Sequence, residues 1–421
     1  MTIRDLDQAL DALFAFTGPR QPNRSSLEMM ARAMPLLDNP HQRLRVIHVT
    51  GTSGKTSTSY YIRALLEVAG QRTGLTVSPH IEALNERVQI GGVPLEPRRF
   101  CGYLDQLLDR LAPLEGQLTY FELVICLALW VFVQEQVDYA VVEVGIGGLR
   151  DATNIVQRED KVAVIGPVGL DHTEKLGTTI AEIAVHKAGI MVPGGQAFAV
   201  RQSAEALAVI RRTAQTLGTE LTVVDPLDVR DWPGDNPGML PAFQRGNWAL
   251  ALAAAQYVAQ RDGFALPQDR AALQRITPPA RYEWFTVRGH QVLLDGAHNP
   301  QKVAGLVAAM TDQGSGPRPV LATLSAAPHT KVIDTVAALK PVVTSLIVPE
   351  FQLGSGDKVK QSVPADEMAG AAASLGIETR VVPDLAEALD QLLADPAPGV
   401  LVTGSLYLAA LVRPWLVRWA D

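Results

Sequence analysis

Cysteine is scarce. Cys101 and Cys126 are the only two in 421 residues, which excludes a disulfide-stapled scaffold and leaves at most one bridge. Both stand in apolar, helix-like stretches, where a buried free thiol is the expected state. Positive charge is not in excess either. Thirty-seven Lys and Arg face 44 Asp and Glu, a net charge of -7, which argues against a general nucleic-acid binder but leaves room for a local cationic pocket. No uncharged apolar run is long enough to cross a bilayer, and the N-terminal stretch carries Asp5, Asp7 and Asp11 where a signal peptide would be apolar. The expectation is therefore a cytoplasmic chain in a reducing compartment, with no membrane and no nucleic acid among its partners. Repeats and low-complexity runs are also missing, which excludes solenoids and arrays. What is present is 47% hydrophobic and 19% charged residues, a globular composition with length for two or three domains.

The recurring unit along the chain is strand, turn, helix. The runs LRVIHVT (44 to 50), YAVVEV (139 to 144), KVAVIG (161 to 166), AFAV (197 to 200) and LTVV (221 to 224) are short and mostly β-branched. Such runs suit a parallel sheet buried on both faces. Between them, 56 to 69, 119 to 135, 178 to 189 and 203 to 216 space apolar residues by three and four, so the expected fold is a doubly wound α/β domain. After an alanine-rich helix near 247 to 260, Pro267, Pro278 and Pro279 break the pattern and predict a linker. The pattern restarts at QVLLD (291 to 295) with a helix from about 300, then PVLATL (319 to 324), VVTSLIV (342 to 348), TRVV (379 to 382) and GVLVTG (399 to 404). That predicts a second, smaller α/β domain, with the polar stretch 349 to 367 as a surface loop.

The strongest local signal is the strand VIHVT running into Gly51, Thr52, Ser53, Gly54, Lys55 and Thr56 and then a helix. Small residues let backbone N–H groups converge on phosphate oxygens at a helix N-terminus, Lys55 adds a point charge and Thr56 a hydroxyl for Mg²⁺. The eight-residue form of this loop requires a glycine where Val49 stands, so the chain carries a shorter G-T-x-G-K-T version. Three further groups sit at strand ends, where ligands gather in open α/β sheets. Ser78 follows LTV, Glu143 ends YAVVEV ahead of GIGG, and His172 lies in GLDHT beyond VAVIG. Together they suit an octahedral divalent cation completed by water and phosphate; singly, each reads as a turn former, a solvated strand end and a helix cap. Lys187, in EIAVHKAGI, reads by default as an exposed helical lysine. LLDGAHNP ends a strand with Asp295, a glycine turn, His298 and Asn299, and reads as a ligand site or as simple helix capping.

With these residues in place the chain resembles the Mur ligase superfamily, and most of all the folylpolyglutamate synthase/dihydrofolate synthase family. The stretches that carry the resemblance are NPHQRLRVIHVTGTSGKT, VSPHIEALNERVQI, LTYFEL, VVEVGIGGLRDATN, LDHTEKLG, KAGI, QRGNWALALAA, PPAR, DGAHNP and VTGSLYLAA, in the family's order. The resemblance implies a P-loop ATPase domain over 1–282 and a Rossmann-like glutamate-ligase domain over 283–421. It implies that Gly51, Thr52, Ser53, Gly54, Lys55 and Thr56 hold the ATP phosphates, and that Thr56, Ser78, Glu143 and His172 hold Mg²⁺. Lys187 matches a lysine that is carbamylated in relatives, and counts with Lys55 and His172 as catalytic. Asn247, Arg281 and Asp295 match nucleotide contacts, His298 and Ser405 the pocket for L-glutamate, and Thr119, Phe121 and Asp151 positions near a pterin- or folate-type acid. The implied enzyme is a monomer that links the acid to glutamate through an acyl phosphate with release of ADP, with closure at the linker near 277 to 285.

Departures from the family pattern are specific. GTSGKT replaces GTNGKG, GGLRDATN exchanges Leu149 and Arg150, Ala280 replaces a glycine in PAR, GPVGLDHT replaces the usual apolar approach to the histidine, and SAAPHTK with His329 and Lys331 stands where a Lys-Asp pair is usual. None removes a charge needed for ATP. They leave two other readings open, a Mur-type ligase that joins an amino acid to a different carboxylic acid, and a nucleotide-binding protein of this fold without catalysis.

Overall fold

The structure, a computed structural model, describes residues 3–18, 24–228, 240–267, 273, 276–355 and 358–420. The chain separates into two compact units, one of residues 1–237 with 244–276, the other of 238–243 with 277–421.

The strands of the first unit are β1 (Val46–Thr50), β2 (Thr73–Thr76), β3 (Gln89–Ile90), β4 (Val93–Pro94), β5 (Tyr139–Glu143), β6 (Val162–Ile165), β7 (Gln196–Val200) and β8 (Glu220–Val224). They form one sheet in the order β4-β3-β2-β5-β1-β6-β7-β8. β1, β5, β6 and β7 are buried at every position, as strands covered on both faces must be, and this is why their sequences are largely apolar. β8, expected as a further buried run, lies at the sheet edge and keeps only Val224 fully buried. At the other edge β3 and β4 pair antiparallel, an extension that two-residue strands leave no periodicity to announce.

The helices of this unit are α1 (Leu6–Phe16), α2 (Ser26–Leu36), α3 (Lys55–Val68), α4 (Pro97–Leu111), α5 (Tyr120–Gln134), α6 (Thr173–Leu176), α7 (Ile180–Ala188), α8 (Ala204–Leu217) and α9 (Ala242–Asp262), whose first two residues group with the second unit. In α5 every residue from Glu122 to Phe132 is buried, which explains an all-round apolar sequence with no polar face. Its start is set by a capping box: Thr119 Oγ1 accepts from the Glu122 amide and the Glu122 carboxylate accepts from the Thr119 amide. Cys101 and Cys126 are buried and unpaired, as the sequence predicts.

The second unit has β9 (Glu283–Val287), β10 (His290–Leu294), β11 (Arg318–Ala322), β12 (Val343–Val348), β13 (Gln352–Ser355), β14 (Lys358–Gln361), β15 (Glu378–Val381) and β16 (Gly399–Thr403). Six of them form a sheet in the order β15-β12-β11-β16-β10-β9, parallel except at the β9–β10 hairpin. Its helices are α10 (Pro300–Asp312), α11 (His329–Leu339), α12 (Ala365–Ser374), α13 (Leu385–Leu393) and α14 (Leu406–Trp419). The stretch 349 to 367 is not simply a loop. It contains the β13–β14 ribbon, paired from Gln352↔Gln361 to Ser355↔Lys358, and the start of α12. Its polar composition lacks the apolar run by which a strand is recognised in sequence. Among the described residues, no helix is long and apolar enough to cross a membrane.

Candidate active site

In the sheet of the first unit β1 lies between β5 and β6, so the turns after β5 and β6 are neighbours of the phosphate loop in space although far from it in sequence. The loop itself leaves β1 at Thr50 and enters α3 at Lys55. Gly54 is the N-cap and takes a left-handed φ of 75°, and a Cβ there would lie 2.0 Å from Asn247 Oδ1. Glycine is thus required twice over, by conformation and by contact. The loop is laced to the turn after β6: Thr52 N donates to Pro167 O at 2.7 Å, and Thr52 Oγ1 donates to Gly169 O at 3.0 Å. Thr50 Oγ1 ties it to the turn after β5 by donating to Gly147 O at 2.7 Å. Lys55, half-buried, donates from Nζ to Gly51 O at 3.0 Å and lies over the loop. The open backbone N–H groups, the helix N-terminus and the ammonium make this a site for phosphate.

Three of the residues expected at a cation come together directly. Glu143 Oε1 accepts from Thr56 Oγ1 at 3.0 Å, and its Oε2 accepts from the Ser78 amide at 3.3 Å. Glu143 is only 2% exposed, so its reading as a solvated strand end is wrong; β5 delivers its carboxylate into the interior. A buried carboxylate with the Thr56 hydroxyl on it and Ser78 beside it offers oxygen ligands, the kind a hard cation such as Mg²⁺ takes. His172 follows β6, in the stretch that leads into α6. It occupies the N-cap position of α6 with φ 50° and makes no capping hydrogen bond; desolvation of its ring, opposed by the Asp171 charge and aided by that of Lys55, holds its pKa below the usual imidazole value.

His172 shares a pocket with Gly51, Thr52, Lys55, Asp171, the glycine turn 145–147 and Lys187. Lys187 is 3% exposed, in the last turn of α7, which overturns its default reading as a solvated helical lysine. The periodicity of α7 missed this because the turn Gly147–Leu149 covers that face: Leu149 N donates to His186 O at 2.7 Å.

Of the three positions expected near the acid substrate, Phe121 and Asp151 converge on Gly145, where a Cβ would lie 2.5 Å from the Phe121 ring and 3.1 Å from Asp151 Oδ2. The Asp151 carboxylate is largely taken up by the protein: Oδ1 accepts from Thr153 N at 3.0 Å and Oγ1 at 2.6 Å, and Oδ2 from Ile146 N at 2.9 Å. Burial raises its pKa and these hydrogen bonds oppose the rise. Thr153 Oγ1 is in turn 2.8 Å from His48 Nε2, in the middle of β1. Sequence reasoning passed over His48 and Thr153; the polar residue inside the apolar run VIHVT was the available signal. The Thr119 hydroxyl is engaged in capping α5 and does not join this group. Asn247 is buried, donates from Nδ2 to Gln244 Oε1 at 2.9 Å and supports Gly54.

In the second unit, Asp295 directly follows β10; its Oδ2 accepts from the Tyr282 amide and its Oδ1 from the Ala297 amide, both at 2.8 Å. Burial raises its pKa, opposed first by the Arg281 charge. Arg281 NH1 donates to Ala280 O at 3.1 Å. Ala280 sits at φ 55°, a conformation that costs an alanine about 1 kcal/mol. His298 follows in the turn, and Ser405 Oγ lies 2.9 Å from Ser325 Oγ after the adjacent strands β16 and β11. Ser325 was not anticipated, because its stretch SAAPHTK departs from the family pattern.

The family model for the Mur ligase middle domain matches residues 49–216, and the one for the Mur ligase glutamate ligase domain matches residues 280–406. Folylpolyglutamate synthase of Lacticaseibacillus casei is 32% identical over 95% of this chain and 96% of its own. A folylpolyglutamate synthase of Arabidopsis thaliana is 37% identical over 61% of this chain, and the match spans 43% of that longer relative. The solved folylpolyglutamate synthase of Mycobacterium tuberculosis, complexed with ADP and AMPPCP, superposes with a TM-score of 0.82 at 27% identity, covering 99% of this chain and 100% of the other.

Proposed function

Because the chain belongs to the folylpolyglutamate synthase family of the Mur ligases, we propose that it joins L-glutamate to dihydropteroate or a reduced folate in an ATP-driven amide ligation that releases ADP and phosphate. The observation that carries this reading is the glycine loop at the N-terminus of α3, with Lys55 Nζ on Gly51 O and the buried Glu143 bonded to the Thr56 hydroxyl and the Ser78 amide. A carboxylate is a poor electrophile and must be activated before an amine attacks it. Transfer of the ATP γ-phosphoryl group to the acid supplies the leaving group, and the loop amides with Lys55 offset the charge that spreads over the transferring oxygens. In our reading Thr56, Ser78, Glu143 and His172 hold Mg²⁺, which when bound neutralises phosphate charge. Asn247, Arg281 and Asp295 serve the nucleotide; Thr119, Phe121 and Asp151 serve the acid, with Asp151 shaping the turn 145–147 through its hydrogen bonds. His298 and Ser405 receive the glutamate, in a ligase domain that we place at 283–421.

We assign Lys187 as a carbamate. The ammonium first gives a proton to solvent; the neutral amine then attacks CO₂, an N–C bond forms as one C=O bond opens to a carboxylate oxygen, and a second proton leaves the nitrogen, so that a buried cation in the pocket of Lys55 becomes an anion.

The test is ADP release from the full chain with ATP and Mg²⁺, over a panel of acids and amino acids, with mass spectrometry of the products. Release that requires both a folate-type acid and glutamate, with an adduct of matching mass, is the expected result. Release with another acid alone would support the Mur-type alternative, and no acid-dependent release would leave a nucleotide-binding protein. In the same assay Glu143→Gln is expected to raise the Mg²⁺ needed for half-maximal rate by about tenfold or more while the KM for glutamate stays near the parent value, since a metal carboxylate becomes neutral. Equal losses in both titrations would mean general damage to the sheet end.

A further inference from the structure

Lys302 breaks a local rule. It is the third residue of α10, a thirteen-residue helix, and sits in the first turn, where the partial positive charge of the helix N-terminus disfavours a cation. Departures of this kind concentrate where a site requires them. The ammonium lies 3.0 Å from His298 Nε2, and His298 Nδ1 lies 2.8 Å from Gly296 O. The hydrogen-bond network therefore places the imidazole proton on Nδ1 and leaves Nε2 to accept from the lysine.

A second observation at the same turn is independent of that charge. Asn299 caps α10 by accepting from Lys302 N through Oδ1 at 2.9 Å. Its Nδ2 has no hydrogen-bond partner among the described residues, although the residue is only 6% exposed. A buried donor left unmade is costly and calls for an acceptor. Asp295, whose carboxylate also senses the Lys302 charge, has both oxygens engaged by backbone amides. The turn is joined to the Ser405 turn by Gly404 N donating to Ala297 O at 3.0 Å, so the hydroxyl pair of Ser405 and Ser325 belongs to the same end of the sheet. An ammonium, an unmatched amide donor and a helix N-terminus together present donors to an anion with two oxygens.

We propose that Lys302 and Asn299 Nδ2 bind a carboxylate of the incoming amino acid. This rests on the amide-ligase reading and deepens it: the amine of the acceptor is consumed as nucleophile, so its carboxylates are what remain for recognition. Lys302 is a residue of this chain's own turn, and its charge makes an anionic acceptor the preferred one.

The experiment uses the full chain and ADP release, with ATP, a folate-type acid and L-glutamate varied in turn. Lys302→Met and Asn299→Ser, the latter keeping an oxygen to cap α10, are each expected to raise the KM for glutamate by about tenfold or more, as loss of a charge-assisted or buried hydrogen bond does. The KM for ATP is expected to stay within about twofold, and Lys302→Arg to recover most of the loss. A glutamate KM unchanged in Lys302→Met, or rises in glutamate and ATP KM of equal size, would overturn the proposal. Should Asn299→Ser not fold, Lys302→Met decides the question alone. If the parent chain shows no amino-acid-dependent release with any acid, the ligase reading falls and the proposal with it; parent turnover with unaltered variants overturns the proposal alone.

Discussion

Lys55→Ala is expected to abolish ADP formation, a loss of at least about 10³-fold, while the protein stays folded. The side chain is half-buried and its Nζ reaches Gly51 O across the loop, outside the hydrophobic cores. Truncating it removes a phosphate-facing charge but creates no cavity, so the thermal midpoint should move by no more than about 0.5 kcal/mol of stability allows. The helix begins at this residue and alanine is the better helix former, which works against any loss of α3. Normal turnover would refute the loop's role in phosphoryl transfer. An unfolded variant would refute the separation of charge from packing on which the expectation rests.

Lys187→Ala is expected to lose about 10²-fold in rate, and part of the loss is expected to return when a short carboxylate such as acetate is added. The structure sharpens this expectation. An exposed lysine on a helix contributes well under about 1 kcal/mol and its loss is nearly silent, but Lys187 is buried and lines the pocket of Lys55 and His172. If its functional form is the carbamate, the missing group is an anion, and acetate can occupy the space that truncation leaves. Acetate should do nothing for Lys55→Ala, where a cation is missing. An active Lys187→Ala variant sinks the assignment of the residue to the site. An inactive variant that acetate fails to rescue, together with no carbamate mass or ¹³CO₂ signal on the parent, sinks the modification.

The strands that carry the site were legible in advance because they are buried on both faces. VIHVT, YAVVE and VAVI have no solvent side, so their burial is written as largely apolar residues, and the turns that follow stand out by contrast. The glycine loop at 51–56 and the DGAHNP turn were legible for a related reason. Each rests on local backbone chemistry that few residue types satisfy. The edges were not legible. β3 and β4 are two residues long, β8 is half-exposed, and β13–β14 lie in a polar stretch, so none carries a periodic signal.

By itself the sequence determined the alternation of strands and helices, the two α/β regions, the phosphate loop, and the identity of the chemical groups from Ser78 to Ser405. Tertiary structure alone decided which of these groups meet. The order of strands places β1 between β5 and β6, and this brings Glu143 to Thr56 and Ser78, 87 and 65 residues away in the chain. It also decided exposure: the same helical periodicity fits a solvated Lys187 and a buried one, and only the packing of the turn 147–149 over α7 separates them. The unmatched amide of Asn299 beside Lys302 belongs to the same class. Periodicity records the average environment of a face, whereas a hydrogen bond between distant residues depends on strand order, which no local pattern encodes.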